Sequence, residues 1–481
     1  MTGIPASRHH FYIGGEWVQP SSSRRFELRN ASTEEVLASV PEALEADVDR
    51  AVAAARRAFD DPSGWASWTP GARAAAMKRF SAALQQRVAD VASTVSQQNG
   101  MPISLSSTFE GAFPVGLLDY YTQLAEAMPG DELRPSQMGR ETVVSRHPVG
   151  VVAAIVPWNF PVVLAMSKIA PALAAGCTLV IKPSPGTVLD SYLLAEAAEQ
   201  AQLPPGVVNW VAADREVGAY LVAHPGVDKV AFTGSTAAGR AIARRCGELL
   251  RPVTLELGGK SAAVILDDAD LDVLAQALPM AAMLNNGQAC FSCTRILAPR
   301  SRYAQVVDAV ASLAASLTVG NALDTATQVG PMASAQHRER VEAYIAKGKT
   351  EARLVAGGNR VKGPGWFVQP TVFADVSNQA CIAREEIFGP VLSIIPYEHE
   401  DQALRIANDT EYGLGGSVWS RDAARARAVA QRIQTGTVGI NGYIPAIGSP
   451  FGGIKASGMG RELGPEALSA YQQLKSTYVM S

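Results

Sequence analysis

From Val149 onward, short apolar runs alternate with amphipathic ones. Val149–Val156 is followed by Leu164–Ala175, Thr178–Ile181 by Leu189–Gln200, Val207–Val211 by Glu216–Ala223, and Lys229–Phe232 by Ala237–Leu250. The short runs are too brief for helices and are bounded by glycine, proline or polar residues, as strands are. Strand followed by helix, repeated, is the pattern of βαβ units, which assemble a parallel sheet with helices on its faces. The rhythm begins anew past Gly258-Gly259. Ala262–Leu266, a helix over 271–286, Arg295–Ala298 and a helix over 302–316 come first; Leu392–Tyr397, a helix over 401–408, Gly416–Trp419, a helix over 421–433 and Thr437–Ile440 follow. Two α/β domains are therefore expected, and 481 residues give room for them at roughly 150 residues per domain.

The preceding chain has a different texture. Residues 12–40 read as short antiparallel strands with Gly14-Gly15 as a hairpin turn. Asp47–Phe59 is an amphipathic helix carrying Val48, Ala51, Val52, Ala55 and Phe59 on one face. A second helix is predicted from Thr69, as N-cap to Pro70, through to Asn99-Gly100, and another near Ser107–Met128. Residues 129–148 are polar and extended, an excursion from the domain, and Tyr471–Met480 reads as a strand able to pair with it. The expected division is 1–128 with 149–257, then 258–456, with 129–148 and 457–481 as a small third element.

Composition excludes several function classes. A net charge of -3 provides no basic excess for nucleic acid or anionic membrane. Five scattered cysteines make no disulfide framework, which points to reduced thiols and a cytoplasmic address. None of the six histidines pairs with cysteine at zinc spacing, so no metal is expected. Met1–Phe11 has no apolar core of the kind a secretory leader needs. Val149–Ser167 is nearly long enough to span a bilayer, but Pro157, Asn159 and Pro161 interrupt it.

Five short stretches carry candidate chemistry, and each also has an ordinary structural use. Asn285-Asn286-Gly287-Gln288-Ala289-Cys290 places a thiol past a glycine at the end of a helical run. Such a thiol suits a nucleophile, although a lone cysteine is more often a small buried hydrophobe. Leu255-Glu256-Leu257-Gly258-Gly259-Lys260 sets a carboxylate in an apolar strand, where burial raises its pKa toward that of a general base, or where Lys260 or an arginine pairs it. Pro157-Trp158-Asn159-Phe160-Pro161 offers an amide for an oxyanion, or a turn asparagine bonded to its own backbone. Phe232-Thr233-Gly234-Ser235-Thr236-Ala237-Ala238-Gly239 lies at a strand-to-helix turn suited to a pyrophosphate, yet it is not the G-x-G-x-x-G fingerprint, and Ser235 or Thr236 serves equally as a helix cap. Lys182, ending the Thr178–Ile181 run, can reach a ribose or phosphate from the crevice side of a sheet, or simply be solvated.

Taken in order from 157 to 462, P-W-N-F-P, K-P-S, F-T-G-S-T-x-x-G, L-E-L-G-G-K, G-Q-x-C, E-E-I-F-G-P and P-F-G-G-x-K-x-S-G-x-G-R-E resemble the NAD(P)-dependent aldehyde dehydrogenase superfamily over essentially the whole chain. The resemblance implies a Rossmann-like cofactor domain, an α/β catalytic domain and a small β oligomerisation hairpin completed by the C-terminal strand, in a homodimer or homotetramer. It implies Cys290 as nucleophile, Glu256 as general base, and Asn159 with the Cys290 N–H as oxyanion donors. Lys168 and Glu462 match a pair placed around a proton path from the base. Ile155, Pro157, Trp158, Lys182, Ser184, Gly234, Ser235, Gly239, Leu257, Glu386 and Phe388 match cofactor contacts, Lys182 and Ser184 at the adenosine ribose and Glu386 and Phe388 at the nicotinamide end.

The chain departs from the family at two points near the cofactor. Thr187-Val188 stands where a second Thr-Pro is common, and Pro185 where strictly NAD-using members tend to carry glutamate. The cofactor expected is NAD or NADP, with a lean to NAD. Phe160, Leu164 and Ser167 after the oxyanion residue, and Tyr443 and Ile447 before P-F-G-G, are the expected substrate pocket. No cation stands in these stretches, which suits an apolar aliphatic, terpenoid or aromatic aldehyde over an acidic one. Cys293 reads as a packing residue. Two rival readings remain: a coenzyme A-acylating semialdehyde dehydrogenase, a branch that typically lacks the glutamate matched by Glu256, and a structural protein that kept the fold without the chemistry.

Overall fold

The computed structural model describes residues 8–480; residues 1–7, which belong to the leader reading and to the first expected domain, and residue 481 lie outside the described residues. The first sheet has eight strands in the order Gly458–Met459, Val253–Glu256, Lys229–Thr233, Val151–Ile155, Thr178–Lys182, Val208–Trp210, Phe11–Ile13, Glu16–Val18. The five strands from Val253–Glu256 to Val208–Trp210 are parallel, and the flanking pairs are antiparallel. Val151–Ile155, Thr178–Lys182 and Lys229–Thr233 are buried at every position. Helices cover both of their faces, which is why these strands are written as unbroken apolar runs.

The second sheet runs Arg353–Ala356, Thr371–Ala374, Val391–Tyr397, Arg295–Pro299, Ala262–Ile265, Gly416–Trp419, Gly439–Ile440. All neighbours are parallel except the first pair. Val152 and Ala154 of the first sheet share one continuous core with Ala263, Ile265 and Ile296 of the second. In the third sheet, Gln472–Val479 pairs antiparallel with Glu141–Pro148 along its whole length, and Glu132–Pro135 lies on the other side. The C-terminal strand thus meets the polar excursion as expected.

The structure differs from the sequence expectations in five places. The helix expected over 70–99 is two, Pro70–Gln85 and Val88–Asn99, parted at Gln86-Arg87. The helix near 107–128 contains a π-turn, Ser107–Ala112, between Ile103–Ser106 and Phe113–Glu126. The helix expected over 271–286 stops at Ala282: Met283 already leaves the helical region at φ -127°, and Asn285 and Asn286 then take left-handed φ values of 49° and 62°. The strands Arg353–Ala356 and Thr371–Ala374 and the helix Ala335–Glu351 were not anticipated. The first strand is half-exposed, the second only four residues long, and the helix buries little beyond Val341 and Ile345.

Finally, not all of 457–481 belongs to the small element. Gly458–Met459 closes the edge of the first sheet against Leu255 and Glu256. Gly458, at φ +126°, is required there, since a Cβ would lie 2.0 Å from the Leu255 carbonyl oxygen. Among the described residues no helix is long and apolar enough to cross a membrane, and no group of His, Cys, Asp and Glu is placed to hold a metal ion.

Candidate active site

Four parallel strands of the first sheet end level with one another. Ile155 is in register with both Lys182 and Phe232, and Thr233 is in register with Glu256. Their carboxyl ends open on one crevice, the usual place for a ligand on such a sheet. The turn Pro157-Trp158-Asn159 leaves the first of these strands, and Gly234-Ser235 leaves another for the helix Thr236–Glu248.

The thiol reaches this crevice from the second sheet. Asparagine tolerates left-handed backbone better than most residues, and two in succession reverse the chain after Leu284. Gly287 follows at φ +75°, where a Cβ would lie 2.3 Å from the carbonyl carbon of Gly389. The Cys290 loop therefore rests directly on the backbone of E-E-I-F-G-P. Buried amides lock it there. Asn286 Nδ2 donates to the Gly100 and Pro331 carbonyls, both at 2.9 Å, and its Oδ1 accepts from Gly330 N–H at 2.7 Å. Asn285 Nδ2 donates to the Asn159 carbonyl at 2.8 Å, and Asn99 Nδ2 to the same oxygen at 3.0 Å and to Trp158 at 3.1 Å. The Asn159 side chain in turn donates one N–H to the Gln288 carbonyl at 2.9 Å, two residues before Cys290. The expected nucleophile and oxyanion residue are thereby brought together, on a turn stiffer than Asn159 could make alone.

Cys290 is half-buried, and a Cβ on Gly259 would lie 2.5 Å from its carbonyl oxygen. Burial, then the carboxylates of Glu386 and Glu256, push its thiol up, while the backbone N–H groups of Cys290 and Phe291 pull it down. Glu256 is 2% exposed, and neither of its oxygens has a hydrogen-bond partner. Burial, with Glu462 adding to it, holds Glu256 well above the usual carboxylate range against Lys168 and Arg461. The alternative of a glutamate paired with Lys260 or an arginine is not realised. Beside it lies a satisfied pair: Lys168 Nζ donates to Glu462 Oε1 and to Thr233 Oγ1, both at 2.7 Å. Ser167 Oγ donates to Glu462 Oε2 at 2.8 Å and is buried, so Ser167 is joined to this charge cluster.

The cofactor candidates occupy the same crevice. Lys182 is a buried amine, not a solvated one. It donates to the Pro183 and Ala213 carbonyls at 3.0 and 2.8 Å, and burial brings its pKa down to about 8. Ser235 Oγ accepts from Ala238 N–H at 3.3 Å, so it does cap its helix, which still presents free N–H groups in its first turn. A Cβ on Gly239 would meet Leu257 Cδ1 at 2.5 Å; the glycine lets this helix seat against Leu257. Gly234 is tight against Phe232 in the same way. Glu386 Oε1 accepts from Gly259 N–H at 3.0 Å, and a Cβ on Gly258 would lie 2.5 Å from its Oε2. Trp158 and Phe388 stand edge to face at 5.4 Å. A helix start for phosphates, a side-chain carboxylate for a ribose and close-set glycines fit a dinucleotide.

Two further groups were invisible in the sequence. His337 on the unanticipated helix packs against both Trp158 and Phe388, and its Nε2 lies 2.7 Å from the Phe388 carbonyl. Burial lowers its pKa to about 4, so it is neutral and donates there. Phe109, from the π-turn, stands at 6.3 Å from Phe160. Around Phe160 and the half-buried Leu164, the pocket side is aromatic: Phe291 packs on Tyr443 at 5.1 Å and on Phe451 at 6.1 Å. Tyr443 gives the pocket its ring but not its hydroxyl, which is bonded to Thr437. Ile447 lies opposite Gly116, where a Cβ would be 3.5 Å from its Cδ1.

The sequence matches the model of the Aldehyde dehydrogenase family over residues 17–477. The chain belongs to this family. It is similar to a geranial dehydrogenase of Castellaniella defragrans, 62% identical with 98% of each chain covered. Among solved structures it is similar to a Mycobacterium tuberculosis aldehyde dehydrogenase complexed with NAD+, at TM-score 0.96 and 47% identity over 98% of each chain. It is also similar to a mutant of AldC from Pseudomonas syringae complexed with NAD+ and octanal, at TM-score 0.94 and 40% identity over 98% of this chain and 97% of that one. This aldehyde dehydrogenase is an NAD(P)-dependent enzyme that oxidises an aldehyde to a carboxylic acid. Its buried pair is a stability liability as well: Lys168→Met leaves Glu462 buried without its cation and is expected to cost about 3–5 kcal/mol, read as a fall in melting temperature.

Proposed function

We propose that Cys290 is the nucleophile, Glu256 the general base, and the Asn159 amide with the Cys290 N–H the oxyanion donors, acting on an apolar aldehyde of terpenoid type. The observation that carries this reading is the unpartnered, buried Glu256 carboxylate on the crevice that the Cys290 loop enters. A carboxyl in that state costs stability and is retained where a proton has to be moved. Glu256 takes the thiol proton, and the sulfur adds to the aldehyde carbon. The Asn159 amide holds the resulting alkoxide through an N–H not spent on Gln288. A nicotinamide, when bound at this end of the crevice, would supply the acceptor for the hydride that leaves that carbon. The alkoxide collapses to a Cys290 thioester. Glu256 first gives up the thiol proton; it then takes one from water, whose oxygen attacks the thioester, and the adduct collapses to the acid and the Cys290 thiolate. The Lys168–Glu462 pair gives that proton a way out.

Glu386, Gly234 and the first turn after Ser235 are suited to hold the dinucleotide, with Trp158 and Phe388 at its nicotinamide end and Lys182 and Ser184 at its adenosine ribose. NAD is the preferred form in this reading. Pro183-Ser184-Pro185-Gly186 brings no further cation to greet a 2′-phosphate. The similar M. tuberculosis enzyme was solved with NAD+. The aromatic pocket and the similarity to a geranial dehydrogenase support the substrate class. Glu256 speaks against acyl transfer to coenzyme A, and the complete catalytic set against a purely structural protein. Leu133, Leu474 and Tyr478 of the third sheet are each more than 60% exposed, which supports this sheet as the contact between subunits.

Cys290→Ala is expected to lower turnover by about 10³-fold or more while NAD still binds. Glu256→Gln is expected to slow deacylation more than acylation, leaving a stoichiometric burst of NADH. It also removes the rising limb of the wild-type pH profile, whose midpoint lies above the ordinary carboxylate range because only ionised Glu256 accepts the proton. Near wild-type turnover in Cys290→Ala defeats the assignment. Across geranial, octanal, benzaldehyde, betaine aldehyde and succinic semialdehyde, kcat/KM is expected to be highest for one of the first three, and about tenfold or more higher with NAD than with NADP. Highest efficiency on either of the last two rejects the substrate class. Light scattering is expected to give a dimer or tetramer; a monomer at micromolar concentration rejects the role of the third sheet.

A further inference from the structure

The helix Pro161–Ala175 follows Asn159 directly, and its start is poorly provided for. Its N-cap is Phe160, which has no side-chain acceptor, and Pro161 has no N–H. The first unsatisfied donors are Val162 and Val163. A polar residue at 160 would ordinarily serve them, but that position forms part of the aromatic pocket. The acceptor comes from elsewhere. Glu110 is fully buried, and its Oε2 accepts from Val162 N–H at 2.7 Å. Its other oxygen has no partner.

Glu110 reaches this place because of the π-turn Ser107–Ala112, a feature that costs helix regularity and is frequent near functional sites. The turn is wedged in position. A Cβ on Gly111 would lie 2.8 Å from Val88 Cγ1, and Ser106 Oγ donates to the Ala92 carbonyl at 2.8 Å. Both contacts are on the helix Val88–Asn99, whose last residue, Asn99, grips the Trp158 and Asn159 carbonyls. One helix therefore seats the carboxyl that fixes the chain just after Asn159 and supplies the amide that fixes the chain at it. Burial, with Asp190 adding to it, holds Glu110 well above the usual carboxylate range; a neutral carboxyl still accepts through its carbonyl oxygen.

We propose that Glu110, carried inward by the π-turn, is a positioning residue for the oxyanion site: it caps the helix that begins at Phe160 and thereby sets the direction of the Asn159 amide. The inference rests on the oxyanion role proposed for Asn159. It predicts that loss of the acceptor slows acylation and acts only through Asn159.

The test is the pre-steady-state burst of NADH in Glu110→Met, Glu110→Gln, Asn159→Ala and the double variant Glu110→Met/Asn159→Ala. Asn159→Ala is expected to slow the burst by about 10²-fold or more. Glu110→Met, similar in size but without an acceptor, slows it by about tenfold with the NAD Kd unchanged, and Glu110→Gln restores it to within about threefold of wild type. In the Asn159→Ala background Glu110→Met causes no further loss. A wild-type burst in Glu110→Met, or an equal loss in both backgrounds, overturns the proposal while leaving Asn159 in place. A wild-type burst in Asn159→Ala removes the oxyanion reading and this role with it. Should Glu110→Met fail to fold, Glu110→Gln decides: a burst within about threefold of wild type supports the acceptor role, and a loss of tenfold or more overturns it.

Discussion

Three buried asparagine amides hold this enzyme's site together. Asn99, Asn285 and Asn286 bind backbone groups of Gly100, Trp158, Asn159, Gly330 and Pro331, segments scattered across more than two hundred residues of chain. All of these bonds but the one to Trp158 are buried, and a buried backbone group left unpaired costs about 1–3 kcal/mol. The Cys290 loop is therefore not free to relax from its left-handed turn. The strain of two successive non-glycine residues at positive φ, about 1–2 kcal/mol each, is offset by bonds that only that conformation makes. The same bonds tie the Cys290 loop of the second sheet to the Asn159 turn of the first.

Within this rigid frame Glu256 is a carboxylate with no hydrogen bond at either oxygen. Lys168, Glu462, Ser167 and Thr233 form a compact hydrogen-bonded set in which the buried charges are matched. Glu256, beside them, has nothing. A core built for stability alone would give its carboxylate the lysine. Pairing the lysine with Glu462 instead leaves Glu256 with an elevated proton affinity, the property a base needs to take a proton from a thiol or from water and then release it. The chain passes Glu256 at Gly458 on the edge of the first sheet, and Glu462, four residues on, pairs with Phe451.

Much of this was legible because parallel strands advertise themselves. Strands buried on both faces are written as apolar runs, and the motif residues sit where those runs stop: Lys182 after Thr178–Ile181, Thr233 after Lys229–Phe232, Glu256 at the end of Val253–Glu256. The misreadings have equally local causes. The helix expected to run through Asn286 was an extrapolation of apolar spacing past the point where asparagine can leave the helical region. Helix spacing alone does not say that Ser167 meets Glu462. His337 and the helix under it gave no signal, because their partners Trp158 and Phe388 are far away in the chain.

By itself the sequence determined the two α/β units, the pairing of the C-terminal strand with the excursion at 129–148, and the motifs that carry the candidate side chains. These follow from local chemistry: periodic burial, turn residues and motifs short enough to be read within one loop. Only the tertiary structure decided that Glu256 is unpaired, that Lys168 belongs to Glu462, and that Glu110 caps the helix after Asn159. Those facts concern which of several possible partners a buried polar group meets, and that choice is made by elements packing across the core, where sequence distance carries no information.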